Sequence, residues 1–241
     1  MVAHPVIITR AEPGASETAA RIQAEGFRPI VSPMLRLQSV AADPDLTGIQ
    51  NLVFTSANGV RFFLEAMGGM TGEAAGLTAW CVGPATAAAA NAAGFELLVA
   101  GDGNADDLAA RILAEGREGD GFLHVANTAA AGNLVARLTD AGRMARFLAL
   151  YETVPASALV REAALAVEAP EPGLVLIHSA KAAEALRAVV DDRLFATNIL
   201  VAISEAAAAP LQGLHTRATL WAERPNEEAL IAALKTAALG L

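Results

Sequence analysis

The sequence has one cysteine, few aromatic residues, few basic residues and no long apolar run. Because Cys81 is the only cysteine, the chain cannot form an internal disulfide. Hydrophobic residues make up 54% of the 241 residues, but no run approaches the roughly 20 apolar residues of a membrane-spanning helix. The N-terminal stretch MVAHPVIITR lacks the basic flank and apolar core of a secretory signal. We therefore expect a soluble, cytoplasmic protein with no membrane partner.

The shortage of positive charge argues against a nucleic-acid partner. The net charge is −9, and no block of Lys and Arg is present to bind phosphates. Aromatic residues make up only 5% of the chain, which leaves little for base stacking. The acidic balance is typical of a protein that needs only solubility from its charge.

Short apolar runs alternate with helical patterns of about 10 to 14 residues, which is typical of βα units and a parallel sheet. Two proline-containing segments, 31–45 and 149–158, interrupt this rhythm and are predicted to be extended linkers. Strands are predicted at 5–9, 51–55, 79–83, 122–126, 174–178 and 199–203. Helices that end at a glycine are predicted at 14–25, with Ser16 as the N-cap, at 84–93 and at 129–141.

The six units fall into two sets of three, in the order A-B-C-A′-B′-C′. VFTSANGV (53–60) is similar to LIHSAKAA (176–183), and CVGPATAAAA (81–90) is similar to AISEAAAAPL (202–211). The separations, between 117 and 123 positions, are nearly equal and far too long for a solenoid repeat, so we predict a duplicated α/β domain. The aligned pairs are Ser56 with Ser179, Val82 with Ile203, and Ile8 with Val125.

Hydrogen-bonding residues follow nearly all of the predicted strands. In a doubly wound sheet, ligands bind beyond the carboxyl ends of the strands, where helix N-termini offer free N–H groups to carboxylates or phosphates. The Ser, Thr and Asn residues among them are also preferred helix N-caps, which is the structural interpretation of any one of them. Because the pattern recurs, we expect a site for a large polyanion. The residues are Thr9-Arg10, Thr55-Ser56 with Asn58, Gly83 with Thr86, Asn127-Thr128, His178-Ser179 and Ser204.

Few other residues point to chemistry. Tyr151 is the only tyrosine and lies in the second predicted linker, so it either projects into an interdomain cleft or is an interface aromatic. The four histidines have no metal-ligand spacing with one another or with Cys81. The sequence contains no GxGxxG, Walker A, nucleophile-elbow or HExxH motif. We therefore predict neither a metal site nor a dinucleotide site.

Four segments together resemble the uroporphyrinogen-III synthase family: VIITR (6–10), VFTSANGV (53–60), VGPATA (82–87) and ALYET (149–153). The resemblance extends over essentially the whole chain. It implies two doubly wound, flavodoxin-like α/β domains joined by a two-stranded linker, with the active site in the cleft between them. The implied domains are residues 1–36 with 157–241, and residues 41–151, with linkers at 37–40 and 152–156. Each domain then contains one A, one B and one C unit.

The resemblance also implies a reaction. The family converts hydroxymethylbilane, a linear tetrapyrrole with eight carboxylates, into uroporphyrinogen III by inverting the last pyrrole ring and closing the macrocycle with loss of water. It uses no metal and no organic cofactor. For this chain the resemblance implies a hydro-lyase of haem and porphyrin biosynthesis, monomeric, with at most a transient contact with the preceding enzyme of the pathway.

Site residues follow from the same resemblance. The linker tyrosine, the acid that the family favours, falls at Tyr151. The residues implied to hold substrate carboxylates are Arg10, Thr55, Ser56, Asn58, Gly83, Thr86, Asn127, Ser179 and Ser204. Two segments depart from the family pattern. ANTAAAGN (126–133) replaces an arginine-bearing segment, and AISEAAA (202–208) has Ser204 in place of a glycine and lacks a threonine.

Two other interpretations stay open. A two-domain protein that binds small molecules would have the same clusters at its strand ends, but such a protein is usually exported. An enzyme that uses a nucleotide or phosphosugar would need a phosphate-binding loop and a catalytic carboxylate at a strand end. Only Glu205 is so placed, and an acidic residue in the first turn of a helix normally stabilises the helix dipole.

Overall fold

The computed structural model describes residues 4–130, 133–191 and 195–241. The strands within these ranges are β1 (Pro5–Ile8), β2 (Arg28–Val31), β3 (Leu35–Ser39), β4 (Asn51–Phe54), β5 (Thr78–Cys81), β6 (Leu97–Ala100), β7 (Gly121–Asn127), β8 (Met144–Pro155), β9 (Leu174–Ile177), β10 (Ile199–Ala202) and β11 (Ala218–Trp221).

The α-helices alternate with these strands. They are α1 (Gly14–Ala24), α2 (Ala57–Met67), α3 (Gly72–Ala75), α4 (Pro84–Ala92), α5 (Ala105–Glu115), α6 (Asn133–Asp140), α7 (Arg161–Glu168), α8 (Ala180–Val189), α9 (Glu205–Ala208) and α10 (Glu227–Ala238). Short 3-10 helices lie at Thr128–Ala130 and Ala209–Leu211. No helix in the described part of the chain is long and apolar enough to cross a membrane.

The chain divides into two compact units, and both divisions fall inside strands. The first unit is Met1–Arg36 with Val154–Leu241, and the second is Leu37–Thr153. The first contains a five-stranded parallel sheet in the order β11-β10-β9-β1-β2. The second contains a six-stranded sheet in the order β3-β8-β7-β4-β5-β6, in which β4 to β8 pair in parallel. The two predicted linkers overlap β3 and β8.

The order of the strands confirms the duplicated α/β fold. In the first sheet the C′, B′ and A strands lie side by side as β10-β9-β1, and in the second the C, B and A′ strands lie side by side as β5-β4-β7. An edge strand, β11 or β6, lies outside the C strand in each case. When the strands of each unit are numbered from 1 in chain order and β3 is left out, the first sheet has the order 2-1-3-4-5 and the second has the order 3-2-1-4-5. Both orders are common in doubly wound sheets.

One of the repeat alignments is wrong by one residue. In the first sheet Ile8 pairs with Leu176, and in the second His124 pairs with Val53. Val53 and Leu176 are equivalent in the B units, so Ile8 corresponds to His124 and not to Val125. The error matters because neighbouring strand residues point to opposite faces of a sheet, so a shift by one exchanges the two faces.

The central strands are buried on both faces, as expected when helices cover both sides of a parallel sheet. Every residue of β4, β9 and β10 is buried. In the first unit, Ile7 and Val175 pack in one hydrophobic cluster, whereas Ile8 and Leu176 pack in another on the opposite face. The second unit has the same arrangement, with Phe54 and Val53 on opposite faces.

Three strands were not predicted, namely β2, β6 and β11. Each has only four residues, and each contains exposed positions because it lies at or near the edge of its sheet. Short, partly exposed strands lack the continuous apolar run by which the central strands were recognised. Their absence from the prediction therefore reflects their edge position.

Two helix predictions need correction. The N-cap of α1 is Pro13 and not Ser16, because the helix begins at Gly14 and Ser16 lies in its first turn. The carboxylate of Glu12 accepts the N–H of Ser16, at 3.1 Å, and its hydroxyl, at 2.8 Å. The helix predicted at 129–141 corresponds to the 3-10 helix at Thr128–Ala130 and to α6. Residues 131 and 132 of that prediction, and of the segment ANTAAAGN, lie outside the described residues.

The backbone is closely packed at the start of β7. A Cβ atom on Gly121 would lie 2.0 Å from the carbonyl oxygen of Gly48. We expect Gly121→Ala to lower the free energy of unfolding by about 2–3 kcal/mol, because a backbone carbonyl cannot swing aside as a side chain can. Denaturant titration measures this, with Gly72→Ala as the control, since a Cβ there meets nothing within 4 Å. Equal unfolding midpoints for the two variants would contradict the prediction.

Candidate active site

In the second unit, the carboxyl end of β4 places Ser56 beside Tyr151. Ser56 is the N-cap of α2, and its Oγ accepts the N–H of Gly59 at 3.3 Å. The same Oγ lies 2.9 Å from the hydroxyl oxygen of Tyr151, and either hydroxyl can donate. Because a serine hydroxyl has two lone pairs and one proton, capping the helix leaves that proton free to donate to Tyr151.

The ring of Tyr151 is held by an irregularity in β8. Ala126 of β7 pairs with Ala149, but the next residue, Asn127, pairs with Tyr151, so Leu150 is an extra residue on β8. Leu150 and Tyr151 consequently both pack into one core cluster, although side chains of neighbouring strand residues normally point to opposite faces. The tyrosine ring also stacks on Phe62, with centroids 4.6 Å apart and planes at 10°.

Thr55 contacts a buried histidine that the sequence analysis did not select. Its Oγ1 lies 3.1 Å from Nε2 of His124, a residue of β7 that is 3% exposed. Burial lowers the pKa of His124 from 6.5 to about 4, so the ring is neutral at physiological pH. In the described part of the chain Nδ1 has no hydrogen-bond partner, and Phe147 packs against the ring. Thr55 is therefore the only hydrogen-bonding contact of this imidazole among the described residues.

Asn127 pairs with Tyr151 in the sheet, but its side-chain amide already makes hydrogen bonds within the protein. Its Oδ1 accepts the N–H of Ala129 at 2.9 Å, and its Nδ2 donates to Oγ1 of Thr153 at 3.1 Å. These contacts tie the loop after β7 to β8, which fits the structural interpretation. Asn58 lies half-buried in the first turn of α2. Substrate contacts of Asn127 and Asn58 remain predictions.

The N-terminus of α4 supplies backbone donors. Gly83 is its N-cap and Pro84, which has no N–H, is its first residue. The N–H groups of Ala85 and Thr86 precede the first hydrogen bond within the helix, so they have no helical partner. Gly83 itself is buried, and a Cβ there would lie 3.4 Å from Cα of Gly103. That distance is an ordinary van der Waals contact, so the approach of Gly103 does not by itself require glycine at residue 83.

In the first unit, Ser179 and Ser204 repeat the geometry of Ser56. Ser179 caps α8 by accepting the N–H of Ala182, and Ser204 caps α9 by accepting the N–H of Ala207, each at 3.2 Å. Among these three serines, only Ser56 contacts a further side chain in the described residues. Ser56 and Ser179 are thus equivalent in the repeat, whereas Ser204 corresponds to Gly83, and only Ser56 is joined to a tyrosine.

Arg10 lies just beyond β1 in a polar cluster. Its Nη1 is 3.3 Å from Oε2 of Glu227, and its side chain is 40% exposed. The hydroxyl of Thr18 donates to the other carboxylate oxygen of Glu227 at 2.5 Å, and Nε2 of His178 lies 3.4 Å from Oε2. The neighbouring Thr9 is fully buried and donates to the carbonyl of Leu176, so its role is structural. Glu227 and Thr18 were not selected from the sequence, because nothing near them marks a ligand.

The depressed pKa of His124 predicts a pH-dependent stability. The unfolded chain takes up a proton at His124 near pH 6.5, whereas the folded protein does so only near pH 4. Between these values the unfolded state binds more protons, so stability falls as the pH falls, by on the order of 3 kcal/mol in total. Urea titrations between about pH 7 and pH 4 measure this loss.

The variant His124→Gln should remove that part of the pH dependence, because glutamine can bond to Thr55 but does not titrate. His215 is exposed, so His215→Gln is the matched control and should leave the pH dependence unchanged. If both variants lose stability with acid as the parent does, burial of His124 is not the cause.

Comparison with known proteins identifies the family. A family model described as uroporphyrinogen-III synthase HemD matches residues 16–232. Uroporphyrinogen-III synthetase from Helicobacter pylori 26695 has a similar structure, with a TM-score of 0.62 and 15% identity, over 97% of this chain and 99% of that chain. A mutant uroporphyrinogen III synthase from the extremely thermophilic bacterium Thermus thermophilus is 20% identical, over 99% of this chain and 100% of that chain, with a TM-score of 0.46.

No curated protein sequence matches the chain. The Helicobacter pylori structure supports the fold of two α/β units. Because the family model matches most of the sequence, the chain belongs to the uroporphyrinogen-III synthase family.

Proposed function

We propose that this chain closes hydroxymethylbilane to uroporphyrinogen III through residues at the carboxyl ends of its strands, with Tyr151 as the proton donor. The family is one of lyases of tetrapyrrole biosynthesis, and this chain is a member. The observation that carries the residue assignment is the contact of 2.9 Å between Ser56 and Tyr151. It gives the phenol a defined hydrogen-bond partner at a helix N-terminus.

The proposed reaction does not require the protein to form a covalent bond with the substrate. Departure of the substrate hydroxyl leaves an electron-rich pyrrole cation, so the enzyme mainly positions the reacting rings and assists the leaving group. The reaction as proposed needs no metal and no organic cofactor. What it does need is a donor aimed at the departing oxygen and a set of contacts for the carboxylate arms.

The donor aimed at the departing oxygen would be the last of three hydrogen-bond donors in a chain. The N–H of Gly59 donates to Oγ of Ser56, the hydroxyl of Ser56 donates to the oxygen of Tyr151, and the phenol proton is then directed to the leaving hydroxyl. The positive end of the α2 dipole lies at the start of this chain and favours donation outward along it. Stacking on Phe62 fixes the plane of the phenol.

Neutral groups would hold most of the substrate carboxylates. A capping serine still has its own proton to donate, so capping and carboxylate binding by the same hydroxyl do not exclude each other. The free N–H groups of α4 would add to these contacts. We assign this role to Thr55, Asn58, Gly83, Thr86 and Asn127 in the second unit, and to Arg10, Ser179 and Ser204 in the first. Ser56, which was predicted with them, has a single proton and donates it to Tyr151 in this proposal.

We also propose that the enzyme works as a monomer in the cytoplasm, with at most a transient contact with the enzyme that supplies its substrate. The support comes from the composition, which has a single cysteine, an acidic balance and no apolar run of membrane length.

The function is tested by adding freshly generated hydroxymethylbilane and separating the oxidised products by isomer. We expect the type III isomer in excess over the type I isomer, which forms spontaneously. A product that is only type I, formed at the uncatalysed rate, would contradict the proposed function and favour a small-molecule binding protein.

The role of Tyr151 is tested by Tyr151→Phe, which keeps the ring stacked on Phe62 but removes the proton. We expect kcat to fall by roughly 100-fold, the low end of the usual contribution of an acid catalyst, with KM little changed. Ser56→Ala should lower kcat less, because the phenol keeps its proton and loses only its orienting partner. An unchanged kcat in Tyr151→Phe would overturn the acid role.

Loss of the helix cap in Ser56→Ala needs its own control. Thr71 caps α3 in the same way, accepting the N–H of Ala74 at 3.2 Å, and it has no contact with Tyr151. Thr71→Ala should cost about 1 kcal/mol of stability, as Ser56→Ala does, but leave kcat unchanged. A fall in kcat in both variants would show that loss of stability, and not the contact with Tyr151, affects the rate.

A further inference from the structure

We propose that Glu227 is a positioning residue, which together with Thr18 and Gly14 holds the guanidinium of Arg10 so that its Nε–Nη2 edge receives one substrate carboxylate. This inference rests on the proposed function, because it specifies how one of the proposed carboxylate contacts is made. It concerns only residues of the first unit.

One nitrogen of Arg10 is already engaged. Nη1 lies 3.3 Å from Oε2 of Glu227 and 3.5 Å from Oγ1 of Thr18. Among the described residues, Nε and Nη2 of Arg10 have no hydrogen-bond partner, and the side chain is 40% exposed. The Nε–Nη2 edge offers two parallel N–H donors, which match the two oxygens of a carboxylate.

Glu227 is suited to hold Arg10 because it is itself fixed. The hydroxyl of Thr18 donates to its Oε1 at 2.5 Å, and only 18% of its side chain is exposed. Contact with His178, then with Thr18 and Arg10, lowers the pKa of Glu227 to about 2, despite the opposing effect of burial. The carboxylate is therefore ionised throughout the working pH range. Its neighbour Glu228 is exposed, as an ordinary first-turn glutamate is.

His178 contacts Glu227 without a directed hydrogen bond. Its Nε2 lies 3.4 Å from Oε2 of Glu227, yet neither ring nitrogen has a well-aligned hydrogen bond in the described residues. The side chain of His178 is only 7% exposed. The directed hydrogen bonds of Glu227 are therefore those with Thr18 and Arg10.

Gly14 provides the surface on which the guanidinium lies. A Cβ on Gly14 would be 2.3 Å from Nε, 2.5 Å from Cζ and 2.9 Å from Nη2 of Arg10. A guanidinium can occupy this place only because residue 14 has no side chain. Gly14 is the first residue of α1 and does not have a positive φ, so alanine fits the backbone there.

The repeat shows that this arrangement belongs to the first unit alone. By the register of the sheets, Arg10 corresponds to Ala126 in the second unit. Helices α10 and α5 both follow an asparagine N-cap, and their first residues are Glu227 and Ala105. Both members of the ion pair are thus replaced by alanine in the other unit, so neither is needed to build the fold.

Fixing Arg10 in advance should favour binding. An unrestrained arginine loses rotamer entropy when it binds a ligand. Glu227 also contributes a negative charge, but it contacts Nη1 and so lies beside a nitrogen other than the two that face the substrate. We therefore expect the gain from orientation to exceed the repulsion between Glu227 and the substrate carboxylate.

The first test measures steady-state kinetics with hydroxymethylbilane for Glu227→Gln. We expect KM to rise about fivefold with kcat unchanged, and the matched control Glu228→Gln to behave as the parent. In the Arg10→Gln background the substitution at Glu227 should have no further effect on KM, because it acts through Arg10. A KM that is unchanged or lower in Glu227→Gln, or an equal rise in the Arg10→Gln background, would overturn the proposal.

Gly14→Ala tests the same idea without removing a charge. The added methyl group displaces the guanidinium, so KM should rise at least as much as in Glu227→Gln. Stability should be retained or increased, because alanine favours the helix more than glycine does. A parental KM would show that the position of the guanidinium does not matter.

A measurement without substrate separates this inference from the proposed function. In ¹⁵N NMR spectra of the arginine side chains, Arg10 is identified by the signal that is lost in Arg10→Gln. We expect slow rotation and separate Nη signals for Arg10 in the parent and in Glu228→Gln, and averaged signals in Glu227→Gln. Averaged signals in the parent would refute the positioning role, even if type III product is formed. Separate signals without type III product would instead contradict the proposed function.

Discussion

The N-terminus of each helix has backbone N–H groups that need an acceptor, and this need determines what can stand at the carboxyl ends of the strands. Ser56, Ser179 and Ser204 meet it in the same way, with their oxygens accepting an N–H three residues ahead. A hydroxyl is one of the few groups that can do so and still have a proton to donate. The same residues are therefore structural caps and candidate ligand contacts, and the two interpretations describe one geometry.

The rest of the second unit's site depends on this capping contact. The proton that Ser56 keeps can reach Tyr151 only because the extra residue Leu150 changes the register of β8. Without that bulge, Leu150 and Tyr151 would point to opposite faces of the sheet. The position of the proposed acid is thus set by three features together: a helix cap, a strand irregularity and the ring of Phe62.

The sequence predicted the parts that depend on pattern. Apolar runs located the central strands, and the repeated Ser at the B units predicted two similar cores. The register of β1 was wrong by one residue, because Val125 is as apolar as Ile8 whereas its true counterpart, His124, is polar. Contacts between residues far apart in the sequence had no local signal: Glu227 looks like an ordinary first-turn glutamate, yet it turns inward to Arg10. Nor does any pattern mark the bulge beside Tyr151.

The two units have similar folds but different residues at the carboxyl ends of their strands. In the first unit, Arg10 and Glu227 bring charge to the strand ends. The positions that match Arg10 and Glu227 in the second unit are Ala126 and Ala105, and there Thr55, Ser56 and Tyr151 supply neutral donors. A guanidinium binds a carboxylate through its charge and two parallel N–H groups, whereas a capping hydroxyl offers one neutral hydrogen bond. Because equivalent strand ends have different residues in the two units, one duplicated fold supplies both kinds of donor.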